Sequence, residues 1–171
     1  MTTYGFAQAG DEQQLLDLAN MVFSMADEPT DFARLHPTVY GQPGYAHLHA
    51  VARQEGRIIA TAALMRPPVR LGAGDSLPCG FIGTVCTHPR HAGQGHMRQL
   101  MRMLEARGCE QGMALLVLGG QRQRYQHHGF EQGGTVLYEV VRRRNLSAVE
   151  DGGYAFVPLE EAAPPVVDAA Y

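Results

Sequence analysis

Hydrophobic and polar positions along this chain follow two periods, and the switches between them mark out its elements. Tyr4 to Ala7 is short, aromatic and alternating, which predicts an opening strand. Asp11 and Glu12 then precede Leu15, Leu18, Ala19 and Val22 at helical spacing, an amphipathic helix with its acids where the dipole favours them. Ala26 to Gly44 carries Pro29, Pro37 and Pro43 and reads as a loop with a short helix at Asp31 to Leu35. Two apolar runs, Ala46 to Gln54 and Arg57 to Met65, flank Glu55-Gly56 and predict a hairpin with a tight turn.

A polar, glycine-rich connection from Arg66 to Pro78 leads into Gly80 to Thr87, a strand by its β-branched and aromatic content. Met97, Leu100, Met101 and Leu104 recur at helical spacing, with Gly108 placed to cap that helix at its C-terminus. Met113 to Leu118 is continuously apolar, the pattern of a strand buried on both faces. After Gly119-Gly120 come a short polar helix to His128 and strands around Phe130 and from Thr135 to Arg143. The order β, α, (α), β, β, β, α, β, α, β, β predicts a layered α/β (α+β) fold with a largely antiparallel front half.

Composition narrows the function classes. The 171 residues are 45% hydrophobic and 18% charged, an ordinary globular balance. Acidic residues number 17 against 14 basic ones, a net charge of −3, which argues against a protein built to grip nucleic-acid phosphates. No apolar run approaches the ~18 residues of a membrane span, and the N-terminus lacks a signal pattern. Cys79, Cys86 and Cys109 show no metal spacing, and an odd count without an export signal fits a reducing cytoplasm. Every basic residue is arginine, so the chain has no lysine side chain to modify. From Tyr154 the tail echoes the stretch from Tyr4, an aromatic strand followed by two acids and an apolar run. The expectation is a domain over 1–146, with 147–171 either opening a second copy of it or packing on the first.

The chemistry gathers in FIGTVCTHPRHAGQGHMRQLM, a strand, a proline-marked turn, two glycines and a helix start. Unpaired N–H groups and the positive dipole end at a helix start suit an anion such as a pyrophosphate, and Gly93 and Gly95 allow close backbone approach. Neither GxxxxGK[ST] nor GxGxxG is present, which removes nucleotide-dependent kinases and dehydrogenases. The histidines His88, His91, His96, His127 and His128 lack a metal-site spacing, so no metal is expected. Cys86 reads as a small buried residue, with no His/Asp set to activate it. Arg142 to Arg144 reads as a solvated strand end.

Downstream lies Tyr125-Gln-His-His-Gly129-Phe130. With it, the chain resembles the GCN5-related N-acetyltransferase superfamily over residues 4–144. That family's coenzyme A loop follows a strand as V-x-x-P-x-x-[RQ]-x-x-G-x-[GA], and its late helix ends Y-x-x-x-G-[FY]. Two registers fit the loop: Arg90-x-x-Gly93-x-Gly95, and Ala92-x-x-Gly95-x-Met97. The second is preferred because it keeps Leu100 and Met101 on the core side, although it replaces the usual Arg or Gln by Ala92 and the small residue by Met97. Arg90, Gln94 or Arg98 then supplies the lost polarity. The stretch also looks like the N-terminal domain of the enhanced-intracellular-survival (Eis-like) tandem branch.

The resemblance implies a GNAT fold with a mixed, mostly antiparallel sheet of about seven strands flanked by helices. It further implies transfer of an acetyl group from acetyl-CoA to a primary amine by direct attack. Val85, Cys86 and Thr87 would meet the pantetheine arm; Gly93, Gln94, Gly95, His96, Met97 and Arg98 would cradle the phosphates; Gly120 and Gln121 would complete the coenzyme site. Tyr125 would protonate the departing thiolate, since a phenol's reference pKa of ~10 lies just above a thiol's. Asp27, Glu28 and Asp31 are the candidate bases, Glu28 foremost, with a water relay or a carboxylate from further downstream as the alternatives. The rival reading is a non-catalytic acetyl-CoA-binding or domain-pairing module. The implied partners are acetyl-CoA and an amine acceptor, small molecule or protein, without nucleic acid or membrane; a homo-oligomer is compatible.

Overall fold

In the computed structural model the described residues are 1–25, 28–67, 69–71 and 75–134. The chain divides into two compact units, Met1–Gln132 and Gly133–Tyr171, and the account below concerns the first. The predicted strand from Thr135, the Arg142–Arg144 run, Asp27 and the segment 147–171 lie outside the described residues.

β1 (Thr2–Phe6) leads to α1 (Glu12–Ser24), then to two single-turn helices, α2 (Phe32–Leu35) and α3 (Pro37–Tyr40). Pro37 sits at the start of α3, where its missing N–H costs nothing. A 3-10 turn, Tyr45–Leu48, stands where the first residues of a strand were expected, and β2 (His49–Gln54) follows it. β3 (Arg57–Met65) returns through Glu55 and Gly56, both with positive φ (53° and 76°), as a primed hairpin turn requires. The Arg66–Pro78 connection contains a small hairpin of β4 (Val69–Leu71) and β5 (Asp75–Leu77). β6 (Cys79–Thr87), α4 (His96–Glu110), β7 (Leu115–Leu118) and α5 (Arg122–Tyr125) complete the order.

The central sheet runs β1-β2-β3-β6-β7, antiparallel except for the parallel β6–β7 pair. That is the mixed, mostly antiparallel α/β architecture expected, with five central strands among the described residues rather than about seven. Successive residues of a strand face opposite sides, so β2 feeds two cores. Val51 joins Leu15, Leu18, Ala19, Ile58 and Cys86 beneath α1. Ala50 and Ala52 join Leu100, Met101, Leu104 and Ile82 beneath α4. Each fully buried leucine contributes ~1.5–3 kcal/mol, so α4 is held mainly by its 100/101/104 face.

Three expectations are corrected. Gly108 does not cap α4; the helix continues to Glu110, and Gly112, at φ 66°, takes the left-handed position. Gly108 instead gives room to Leu116, whose Cδ2 would lie 3.1 Å from an added Cβ. β7 begins only at Leu115, which is 49% exposed, so among the described residues it is not covered on both faces. Residues 129–134 form no strand around Phe130. No described helix is long and apolar enough to cross a membrane.

Candidate active site

β6 and β7 are parallel partners only from Cys79–Leu115 to Ile82–Leu118. β6 then runs on to Thr87, while the chain leaves β7 through Gly119 and Gly120. The pairing therefore ends at Ile82, and among the described residues one side of Gly83–Thr87 has no strand neighbour. A cavity of about 450 Å³ opens there. Gly83, Thr84 and Val85 form one wall, Gly120, Gln121 and Tyr125 another, and Phe32, His36 and Tyr40 the roof.

The β6 wall is bent. Its register with β3 shifts between Thr61 and Ala63, and Thr84 has φ 50°. A β-branched residue in the left-handed region costs roughly 1–2 kcal/mol, so something must hold it. Thr84 Oγ1 is hydrogen-bonded to the Tyr40 hydroxyl, which supplies that restraint. The bulge re-aims the backbone at the point where the strands separate.

At the far end of β6, His88 Nδ1 accepts from the Arg90 N–H in a turn at Pro89–His91. Gly93 and Gly95 have φ 75° and 81°, and α4 begins at His96. Among the described residues, no backbone carbonyl accepts from the N–H groups of Gly93 through Arg98. Six consecutive amides at the positive end of a fifteen-residue helix form a cradle for an anion. Leu100 and Met101 are buried, the feature on which the Ala92-x-x-Gly95-x-Met97 register rests. Gln94 and Arg98 are exposed and Met97 half-buried. The ring of His96 turns inward, with Nδ1 2.8 Å from the Tyr4 hydroxyl, and burial followed by the nearby His91 holds its pKa below the usual value. His96 thus offers an anion its backbone N–H and not its ring.

Tyr125 ends α5 and is 9% exposed. An added Cβ on Gly120 would lie 2.7 Å from Tyr125 Cε2, so the ring packs directly on that glycine. Gly129, at φ 82°, turns the chain so that Phe130 meets the Tyr125 ring edge-on at 6.4 Å. This is the packing that the G-F following Tyr125 provides. Burial raises the phenol's pKa, with Arg124 opposing.

The structure separates the remaining candidates. Cys86 points into the core beneath α1, and burial pushes its thiol up to about 12, the wrong direction for a nucleophile. Thr87 pairs with Ala60 at the end of β6. Asp31 is occupied as the N-cap of α2, accepting from the Arg34 N–H. Glu28 is exposed and does not line the cavity. Among the described residues no three His, Cys, Asp or Glu side chains converge as a metal site. A larger groove of about 660 Å³ lies between α1 and the start of β3, away from the strand gap and from Tyr125. Residue patterns did not single out His36, Tyr40 or Phe32. The one available signal was His36-Pro37, which marks a helix start, and no spacing says that this start overhangs the sheet.

The described residues thus combine a parallel pair whose ladder ends at Ile82 with a run of free amides at the start of α4. The chain belongs to the acetyltransferase (GNAT) domain family, whose family model matches residues 3–133. Comparison with curated proteins gives no match. The fold is similar to a "predicted acetyltransferase" of Clostridium acetobutylicum solved with acetyl-CoA (TM-score 0.64, 21% identity, 82% of this chain and 96% of that one). It is also similar to an acetyltransferase of Trypanosoma brucei (TM-score 0.59, 18% identity, 82% and 100%). A GCN5-related N-acetyltransferase of Kribbella flavida matches at TM-score 0.61 and 17% identity, over 75% of this chain and 32% of that one.

Proposed function

We propose that this protein is an acetyl-CoA-dependent N-acetyltransferase in which a primary amine attacks the thioester directly, without a covalent enzyme intermediate. Two observations carry the reading: the cavity that brings Gly83–Val85 of β6 together with Tyr125, and the run of free amides at Gly93–Arg98 that follows the same strand. Acetyl-CoA supplies an activated acyl group. Gly93 to Arg98 bind its phosphates through backbone N–H groups, which explains why Ala92 suffices where relatives carry Arg or Gln. The edge at Val85, Cys86 and Thr87, with Gly120 and Gln121 opposite, receives the pantetheine arm. Tyr125 donates its proton to the departing thiolate.

An ammonium must lose a proton before it can attack. Among the described lining residues Arg124 stays charged, Tyr40 is pushed up to about 12 chiefly by burial, and Tyr125 is needed as the acid. That leaves His36, whose imidazole carries a ring nitrogen that can accept a proton. We therefore move the base from Glu28 to His36. Kinship with the Eis-like tandem branch is part of the same proposal, and it rests on the stretch VCTHPRHAGQGHMRQLM.

The test is titration with acetyl-CoA and desulfo-CoA, alongside thiol release over a panel of amines. Coenzyme binding with thiol release supports the enzyme; tight binding with no release from any amine supports the non-catalytic module instead.

A further inference from the structure

The acceptor end of the cavity has a chemistry of its own. Phe23, Phe32 and Tyr40 form an interlocked aromatic wall: Phe23 and Phe32 centroids are 4.9 Å apart, and Phe32 and Tyr40 meet edge-on at 5.5 Å. Phe32 and Tyr40 are each 6% exposed, so the wall is set before any ligand arrives. Val39, Met65 and Phe81 extend the apolar surface across the opening. No carboxylate lies among the described lining residues, whereas the guanidinium of Arg124 does.

We propose that the acceptor is a monoamine carried on an apolar body, aryl or branched alkyl, rather than a polyamine or an amino sugar. The inference rests on the acetyltransferase reading and assigns its substrate class. A second ammonium or a ring of hydroxyls would lose its hydration against Phe23, Phe32 and Val39, which have no polar side-chain atom to replace the water. An apolar body gains from the same surface. A single ammonium beside an aromatic ring gains an attraction that does not need a carboxylate. Arg124 further disfavours additional positive charge.

The experiment measures binding, so it does not depend on turnover. Protein saturated with coenzyme A is titrated calorimetrically with 2-phenylethylamine, 3-methylbutylamine, spermidine and glucosamine. The two apolar amines are expected to bind about tenfold or more tighter than the polar pair, the discrimination one or two buried contacts provide. Met65→Glu, a half-buried position at the strand end, is expected to narrow or reverse that ratio while coenzyme affinity is kept. Equal affinities, or spermidine ahead in the parent protein, overturn the acceptor assignment and leave the acetyltransferase reading intact. Failure of coenzyme A to bind overturns the underlying reading, and the acceptor assignment with it.

Discussion

The Tyr40 hydroxyl is hydrogen-bonded to that of Thr84, and this pair fastens α3 to the bulge of β6. Tyr40→Phe removes the partner of a hydroxyl held in a left-handed backbone conformation. The expected loss of stability is ~0.5–1.5 kcal/mol, the usual net worth of one hydrogen bond, because the half-buried Thr84 hydroxyl lines the cavity. Thr84→Gly leaves the Tyr40 hydroxyl without its partner but also relieves the left-handed strain, and the two offset, so it is expected to change stability by less than about 1 kcal/mol. Urea unfolding of both variants checks this; equal losses would show that the hydrogen bond does not restrain the bulge.

Tyr125→Phe keeps the ring packing on Gly120 and Phe130 and deletes only the hydroxyl. Turnover is expected to fall by ~10²-fold or more, with coenzyme affinity nearly unchanged. Because burial raises the Tyr125 pKa, the parent enzyme is expected to keep its acid function to a pH above the ordinary phenol range. Unchanged turnover in the variant removes Tyr125 from the mechanism.

Gly120→Ala tests position rather than proton. The new Cβ would lie 2.7 Å from Tyr125 Cε2 at a residue with φ 154°, so the ring must move. A displacement of about 1 Å at a catalytic group commonly costs ~10²-fold in rate. The expectation is lower kcat with a smaller change in stability than a core cavity would give. Full activity would mean that the ring tolerates displacement, which argues against its role as the acid.

The features legible in the sequence were those set by local chemistry. Periodicity revealed α1 and the 97–104 face of α4, because burial of one helical face needs only spacing. Glu55-Gly56 revealed its turn, because the backbone there demands left-handed residues. Gly93, Gly95 and Tyr125 stood out through motif spacing. What could not be read was what approaches from elsewhere in the chain. Gly108 has the right residue type for a cap, yet it serves Leu116 of the next strand. Asp31 has the right type for a base, yet the nearer N–H of Arg34 claims it. His36 gains its place only because α2 and α3 overhang the gap between β6 and β7, a relation between segments distant in sequence.

His36→Gln separates the base assignment from that of Glu28. The glutamine preserves size and hydrogen bonding and cannot take the proton. kcat is expected to fall by ~10²-fold at neutral pH with coenzyme KM unchanged, and the loss should shrink as pH rises and more free amine forms. Glu28→Gln is expected to leave kcat as it was. The opposite pattern returns the base to the acidic loop.

His49 is fully buried, with Nδ1 2.9 Å from Thr61 Oγ1. Thr61 donates its own hydroxyl proton to the Ala50 carbonyl at 3.2 Å, so His49 must be the donor and carries its proton on Nδ1. Nε2 then faces the core with no partner, and adding a proton there would bury a charge. Burial, followed by the nearby His47, lowers the His49 pKa to about 4. An unfolded chain takes up this proton near pH 6.5, whereas the folded chain resists until about pH 4. The unfolded state therefore binds more protons across that window, and stability rises with pH through it. The contribution is complete above about pH 6.5 and is lost as pH falls towards 4, on the order of 3 kcal/mol in total. His96 and His128 shift in the same direction, so acid sensitivity alone does not identify the group. His49→Gln is expected to remove about one proton from the uptake on unfolding between pH 6.5 and 4, measured from the pH dependence of urea unfolding. An acid limb as steep as the parent's would place the titration on another residue.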